Sequence, residues 1–396
     1  MRALPITEYT LTTCLGAGKT ENCEALLSRH SGLEACIFED VPIDTWVGVV
    51  AGVDDVPLPA PLVAFDCRNN RIAWLALAQD GFRDGVAEAR ERYGARRIAV
   101  VMGTSTAGIL SAERAWRRRD DSGNLPADFN YATTQDNFSL GDFVSRALDL
   151  DGPCHVVSTA CSSSAKVFAS AARMIAAGLV DAAVVGGVDS LCGTTLYGFR
   201  SLELTSNTPC RPFDAERDGL SLAEGAAFAL LERDAEGSVA LLGYGESSDA
   251  YHMSSPHPEG LGAKQAMQAA LRRAGLAPGG VDYINLHGTA SPANDAAEDR
   301  AVYELFGDAV PCSGTKGWTG HALGAAGGIE ASICMLALER GLMPGTLNTR
   351  RIDPACRSAL LRDNAVADLR VVLSNSFGFG GSNCSLVFGR PTGALA

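Results

Sequence analysis

Short apolar runs that alternate with longer segments of helical period constrain this chain more than any other feature. Ile98 to Met102, Val156 to Ser158, Ala182 to Val185, Tyr283 to Leu286 and Val371 to Leu373 are rich in Val, Ile, Leu and Ala, with stretches long enough for helices between them. That alternation predicts βαβ units, a mainly parallel sheet and an α/β fold. The clearest unit is a strand over 155–159, a helix over 162–177 closed by Gly178, and a strand over 182–185 ended by Gly186-Gly187, with a right-handed crossover. The 162–177 helix carries apolar or small residues on nearly every face, so it is expected to be buried all round. A second segment, about 322–340, repeats the recipe: it follows Pro311 to Thr315, starts in Ala and Gly, and ends at Arg340-Gly341. Two such helices read as a weak internal duplication, with both helix N-termini facing a shared site.

With 396 residues the chain is long enough for two domain-sized units. The charged stretch Glu232 to Gly237 is the expected boundary, giving halves 1–236 and 237–396. The N-terminus leads into a strand-like stretch without the apolar core of a signal peptide, and apolar runs are interrupted well short of the roughly 20 residues of a membrane-spanning helix, so a cytoplasmic protein is expected. A net charge of −13 argues against nucleic acid as the main partner. Of twelve cysteines, the closest pair, Cys154 and Cys161, is seven residues apart and no CxxC occurs, so no structural metal is expected. Most of them sit among apolar neighbours and read as small core residues.

Cys161 stands apart, because Ser158-Thr159-Ala160-Cys161-Ser162-Ser163-Ser164 is the turn from one buried strand into one buried helix. A thiol there faces the positive end of the helix dipole and free backbone N–H groups, which favour the thiolate, lower its pKa and can hold the oxyanion of a thioester under attack. The competing reading is a buried structural cysteine. Two of the six histidines follow strand-like runs in Gly-flanked loops, His287 in Asn285-Leu286-His287-Gly288-Thr289 and His321 in Lys316-Gly317-Trp318-Thr319-Gly320-His321. Singly each reads as a hydrogen-bonded structural histidine; with Cys161 they offer two imidazoles that donate to a carbonyl oxygen as enolate charge develops on it. Lys316 and Glu298 are candidates for an ion pair that fixes the histidines, or are ordinary surface charges. The loop Asn375 to Asn383 sets Phe377 and Phe379 among Gly378, Gly380 and Gly381, so that it can bring a backbone N–H to a ligand and swing Phe379 as a gate.

These residues resemble the elongating β-ketoacyl-acyl-carrier-protein synthases, a branch of the thiolase superfamily. The resemblance runs over nearly the whole chain: Thr159 to Ser163, Arg211-Pro212-Phe213-Asp214 with Arg217-Asp218-Gly219, His287-Gly288-Thr289 with Asp295 and Glu298, Thr315-Lys316, Gly320 to Gly327, and Asn375 to Gly381. It implies a thiolase-like fold of two duplicated βαβαβαββ halves in five layers, α-β-α-β-α. It further implies that Cys161 takes the acyl group, that His287 and His321 promote malonyl decarboxylation, and that Lys316 and Glu298 support them. The amides of Cys161 and Phe379 would form the oxyanion hole, Gly378 and Gly380 would shape the gate, and Thr289, Ser291, Leu220 and Phe377 would line the substrate path. Leu220 departs from the Phe that the family usually carries after Arg-Asp-Gly. A degradative thiolase would need a second catalytic cysteine, which the 375–381 loop lacks; a priming synthase would show Cys-His-Asn; a chain-length-factor subunit lacks the nucleophile. Finer features, Gly103 to Gly108 and Arg68-Asn69-Asn70-Arg71, look like ketosynthases of aryl-polyene pathways.

By the same resemblance no cofactor is needed and the partner is an acyl carrier protein, with a homodimer expected and a heterodimer with a related subunit as the alternative. A different reading makes the chain a specificity subunit whose own catalysis is dispensable. An acidic carrier needs a basic dock, for which Arg114, Arg117, Arg118 and Arg119, with Arg68 and Arg71, are the candidates, against the plainer reading of a solvated helix face.

Overall fold

The computed structural model of the protein describes residues 1–391. Its first half runs through β1 (Leu4–Thr13), α1 (Arg68–Leu77), α2 (Phe82–Tyr93), β2 (Ile98–Gly103), α3 (Ile109–Arg117), α4 (Phe138–Ala147), β3 (Cys154–Val157), α5 (Ser163–Ala176), β4 (Ala182–Asp189), α6 (Gly193–Ser201) and β5 (Gly225–Glu232). The second runs through β6 (Val239–Ser248), α7 (Leu261–Ala274), β7 (Tyr283–Leu286), α8 (Pro292–Phe306), β8 (Pro311–Gly314), α9 (Ala326–Arg340), β9 (Val371–Gly378) and β10 (Ser382–Gly389). Strand order is β3-β2-β4-β5-β1 in one half and β8-β7-β9-β10-β6 in the other, the same arrangement used twice. In each half the first strand pairs antiparallel with the last, the last pairs antiparallel with the one before it, and the remaining neighbours are parallel. A short antiparallel contact, Leu4 opposite Leu241, joins the two half-sheets.

Side-chain alternation explains the apolar runs. In β2, Ala99 and Val101 point into the central core while Ile98, Val100 and Met102 point into an outer one; in β4, Ala183 and Val185 face inward, Ala182 and Val184 outward. A strand covered on both faces has no polar side to show, so its sequence is continuous Val, Ile and Ala. The central layer is α5 and α9, which pack on each other and on strands of both halves. Helices α1, α2 and α4 cover one outside face and α7 and α8 the other, which completes five layers. Helix α9 is buried from Ala326 to Leu338.

Three expected boundaries move, the first being the strand expected over 155–159, which is Cys154–Val157 and gives way to the tight turn before Cys161. β4 does not end at Gly186-Gly187 but continues to Asp189, because those glycines serve close packing: a Cβ on Gly187 would lie 2.4 Å from Ser164 Cβ. The second central helix starts at Ala326, not 322, because Leu323 adopts φ 47° and forces a separate 3₁₀ turn over Leu323–Ala325. Among the described residues every cysteine is free, and no helix is long and apolar enough to cross a membrane.

Candidate active site

Cys161 follows Ala160, which sits in the left-handed region at φ 52° and makes the turn out of β3 tight. Three serines hold that turn. Ser162 Oγ donates to Thr159 O at 2.9 Å, Ser163 Oγ donates to Ala160 O at 2.6 Å and accepts from Thr159 N, and Ser164 Oγ accepts the N–H of Gly328 on α9 at 2.8 Å. The serine run therefore spends its hydroxyls on reinforcing the backbone of the turn and on tying α5 to α9. The Phe379 N–H is directed at the sulfur, and Gly378 lies so close beneath that a Cβ there would be 3.2 Å from Cys161 N and 2.7 Å from Thr159 O. Burial pushes the Cys161 thiol up to about 11, outweighing Lys316 and the Phe379 N–H, which pull it down. The expected lowering of the Cys161 pKa is thus corrected: the lowering influences are in place, but burial outweighs them.

His321 Nε2 stands 3.1 Å from Cys161 Sγ, and the ring of His287 meets that of His321 edge-on with centroids 5.4 Å apart. His321 is hung between strands, its N–H donating to Ser221 O at 2.8 Å and its carbonyl accepting from Ala223 N at 3.0 Å. Burial, and then the positive charge of Lys316, hold both imidazoles well below their ordinary pKa, so both are neutral near pH 7. Lys316 donates to His287 O at 2.6 Å and lies 3.2 Å from His287 Nδ1.

The expected Lys316–Glu298 pair does not form. Lys316 pairs with Glu330 of α9, in the central layer, whereas Glu298 reaches the loop from α8, in an outer layer. There Glu298 accepts the backbone N–H groups of His287 and Gly288, each at 2.8 Å, and the amide of Asn375 at 3.2 Å. It positions His287 through the main chain. Glu330 was not anticipated, although a single carboxylate inside the apolar run 326–338 is a legible signal for a buried partner. Asp189 was also missed. At the end of β4 it accepts from Ser105 N, Thr106 N and Thr104 Oγ1 at 2.7–2.9 Å and from Gly324 N, fastening the turn after His321 to the first half. The Arg-Pro-Phe-Asp motif is a loop staple: Phe213 N donates to Asp295, and Asp214 accepts from the N–H groups of Arg350 and Arg351.

A cavity of about 90 Å³ opens onto Cys161, His287 and His321, and its lining includes Thr289, Ser291, Leu220, Phe377, Gly378 and Phe379. Phe379 is stacked on Phe199 of α6 at 5.5 Å and 21°, so an aromatic pair stands in that wall. Gly380 is exposed in the same loop, at φ 76°. The basic cluster is mostly spent. Arg68 is buried against Glu224 and Asp54, Arg71 pairs with Asp66, Arg114 and Arg117 share Glu39, and Arg118 pairs with Asp128. Arg119, stacked over Trp116 at 4.2 Å, is the one of the six without a carboxylate partner among the described residues. Of the six expected docking cations Arg68 is corrected to a buried residue, while the others keep exposed surface, and spacing shows where arginines cluster but not which acids meet them.

A thiol, two neutral imidazoles and an inward-facing backbone N–H can accept an acyl group and support an enolate oxygen. Residues 69–237 match the family described as beta-ketoacyl synthase, N-terminal domain, and residues 239–350 its C-terminal domain. The 3-oxoacyl-[acyl-carrier-protein] synthase 2 of Coxiella burnetii is 34% identical, with 98% of this chain and 99% of that protein aligned. That of Rhizobium meliloti is 37% identical over 81% of this chain and 79% of its own. Among solved structures, the ketosynthase ApeO in complex with its chain length factor ApeC from Xenorhabdus doucetiae superposes with a TM-score of 0.89 at 39% identity, covering 98% of both chains. The ishigamide ketosynthase/chain length factor gives 0.90 at 27% identity, over 98% of this chain and 99% of that one.

Proposed function

The chain belongs to the β-ketoacyl-acyl-carrier-protein synthase family of acyltransferases, and from that premise we propose that Cys161 is its acyl-carrying nucleophile in a decarboxylative Claisen condensation. The observation that carries this assignment is the convergence of Cys161 Sγ, His321 Nε2 and His287 at one cavity. In the first half-reaction the sulfur attacks the thioester carbonyl of an acyl carrier, the oxyanion rests on the N–H groups of Cys161 and Phe379, and the carrier thiol leaves with the proton that Cys161 gives up. In the second, malonyl carrier binds and its thioester oxygen accepts hydrogen bonds from His287 and His321. Carbon dioxide departs, the enolate carbon attacks acyl-Cys161, and the sulfur is expelled as a thiolate that takes one proton from solvent as the β-ketoacyl carrier is released. Neutral imidazoles suit this role, because each keeps an N–H to donate without placing a second and third cation beside Lys316. Lys316, paired with Glu330, and Glu298 position His287; Thr289, Ser291, Leu220 and Phe377 line the path, and Phe379 with Gly378 and Gly380 forms the gate.

We further propose that the halves 1–236 and 237–396 are the two units of the fold, that the protein works in the cytoplasm on an acidic carrier, and that it pairs with a second copy or a related subunit. The aryl-polyene branch is the finer assignment, supported by the likeness to ApeO. The alternative, a specificity subunit, is kept because two similar structures are titled as complexes with a chain length factor. Intact-protein mass spectrometry with acyl carriers, then malonyl carrier, decides: wild type becomes acylated and releases a β-ketoacyl product, and Cys161→Ala does neither. Absence of acylation in wild type from every donor would sink the catalytic reading.

A further inference from the structure

Cys161 Sγ and ring nitrogens of His287 and His321 all lie within 4.8 Å of one another, buried, at the wall of a cavity. Three converging donors of this kind, with one direction left open, match the ligand set of a tetrahedral zinc site that keeps a free position. Ligation sets one condition on each histidine: the nitrogen facing the metal must present a lone pair, so the ring proton must sit on the other nitrogen. His321 can meet it by moving its proton to Nδ1, since Nε2 faces the sulfur and no donor among the described residues points at Nδ1, at the cost of a buried N–H without an acceptor. His287 does not. Its Nδ1 faces the amine of Lys316 at 3.2 Å, and that amine is paired with Glu330, so it donates to Nδ1 and the ring proton belongs on Nε2. To ligate through Nε2, His287 would have to set an N–H against the N–H of an ammonium.

We propose that Cys161, His287 and His321 form a latent site for a thiophilic divalent cation of the zinc class, and that Lys316 holds it shut by fixing the tautomer of His287. When the site fills, the thiol releases its proton to solvent, the His287 proton crosses from Nε2 to Nδ1, three protein–metal bonds form and no electron is transferred. Lys316 acts here as a positioning residue, through His287. The inference stands on the geometry alone and does not depend on which acyl chain the protein carries.

The test uses the full chain as wild type, as Lys316→Met and as Lys316→Met with Glu330→Gln, which leaves no unpaired buried carboxylate. Each is titrated with Zn²⁺, read as protection of Cys161 from iodoacetamide, and with Co²⁺, read as tetrahedral d–d and thiolate charge-transfer absorption. Both variants are expected to bind at least about tenfold more tightly than wild type, the size of change an outer partner makes in metal affinity but with its sign reversed, because Lys316 opposes the ligating tautomer, and Cys161→Ser in the Lys316→Met background is expected to abolish the charge-transfer band. Equal affinity in wild type and variants, or tighter binding that survives Cys161→Ser, would overturn the proposal.

Discussion

Cys161 sits under two opposed influences, a helix N-terminus with a nearby ammonium that favours the anion and a dry surround that favours the thiol. The dry surround prevails, with the thiol at about 11. The sign for reactivity follows directly: the thiolate is the reactive species, so below about pH 11 its fraction rises about tenfold per pH unit. The rate of Cys161 alkylation by iodoacetamide, followed by mass spectrometry, is therefore expected to climb steadily from pH 7 to pH 10; a plateau near pH 7 would show a resting thiolate instead. Gly378 decides the other half of the site. With Thr159 O only 2.7 Å from a would-be Cβ, Gly378→Ala must push the loop off Cys161 and carry the Phe379 N–H away from the sulfur. Loss of one oxyanion donor predicts a fall in kcat of about 10²–10³, with the protein still folded by circular dichroism.

At the scale of elements, the site exists because α5 and α9 start from equivalent places in two equivalent halves and meet in the central layer. Cys161 precedes one helix and His321 the other, so the contact between their side chains is set by how tightly the first turn of α5 is seated. That seat is glycine-lined: Ser164 lies over Gly103 and Gly187, and Gly187→Ala would bring its Cβ to 2.4 Å from Ser164 Cβ and 3.0 Å from Gly103 O. Overpacking of this kind typically costs about 1–3 kcal/mol. Denaturant unfolding is expected to show a loss of that order, accompanied by slower acylation, since the displaced turn carries Cys161 away from His321.

At the scale of the whole molecule, large aromatics collect where α3, the turn Tyr131–Gln135 and α6 come together: Trp116 is 54% exposed, Tyr131 59% and Tyr197 50%. Exposed aromatic surface of this kind marks an interface. On the proposed pairing with a second copy, the double change Trp116→Glu and Tyr197→Glu is expected to shift the protein from dimer to monomer in analytical ultracentrifugation; an unchanged dimer would place the interface elsewhere. Arg119 borders the same region with its charge free of a carboxylate. Arg119→Glu is expected to raise KM for the carrier severalfold while leaving the reaction with a small-molecule thioester unchanged, and equal effects on both substrates would remove its docking role.

Local order determined much of this. Continuous Val, Ile and Ala announced strands covered on both faces, two all-apolar helices announced a central layer, and Cys161, His287 and His321 stood out because each follows a strand-like run in a glycine- or serine-rich turn. What residue spacing does not carry is which charge meets which. Lys316 and Glu298 look like partners along the chain, yet Glu298 reaches the site from the outer helix α8, and the amine meets Glu330 of the central helix α9. The arginine cluster was visible, but Glu39, which Arg114 and Arg117 share, and Glu224, which Arg68 meets, lie 75 or more residues away in sequence. The ionisation of Cys161 is of the same kind: the helix start that favours the anion is a local property written in the sequence, whereas the burial that outweighs it is assembled by loops from both halves, and desolvation is a property of the folded whole.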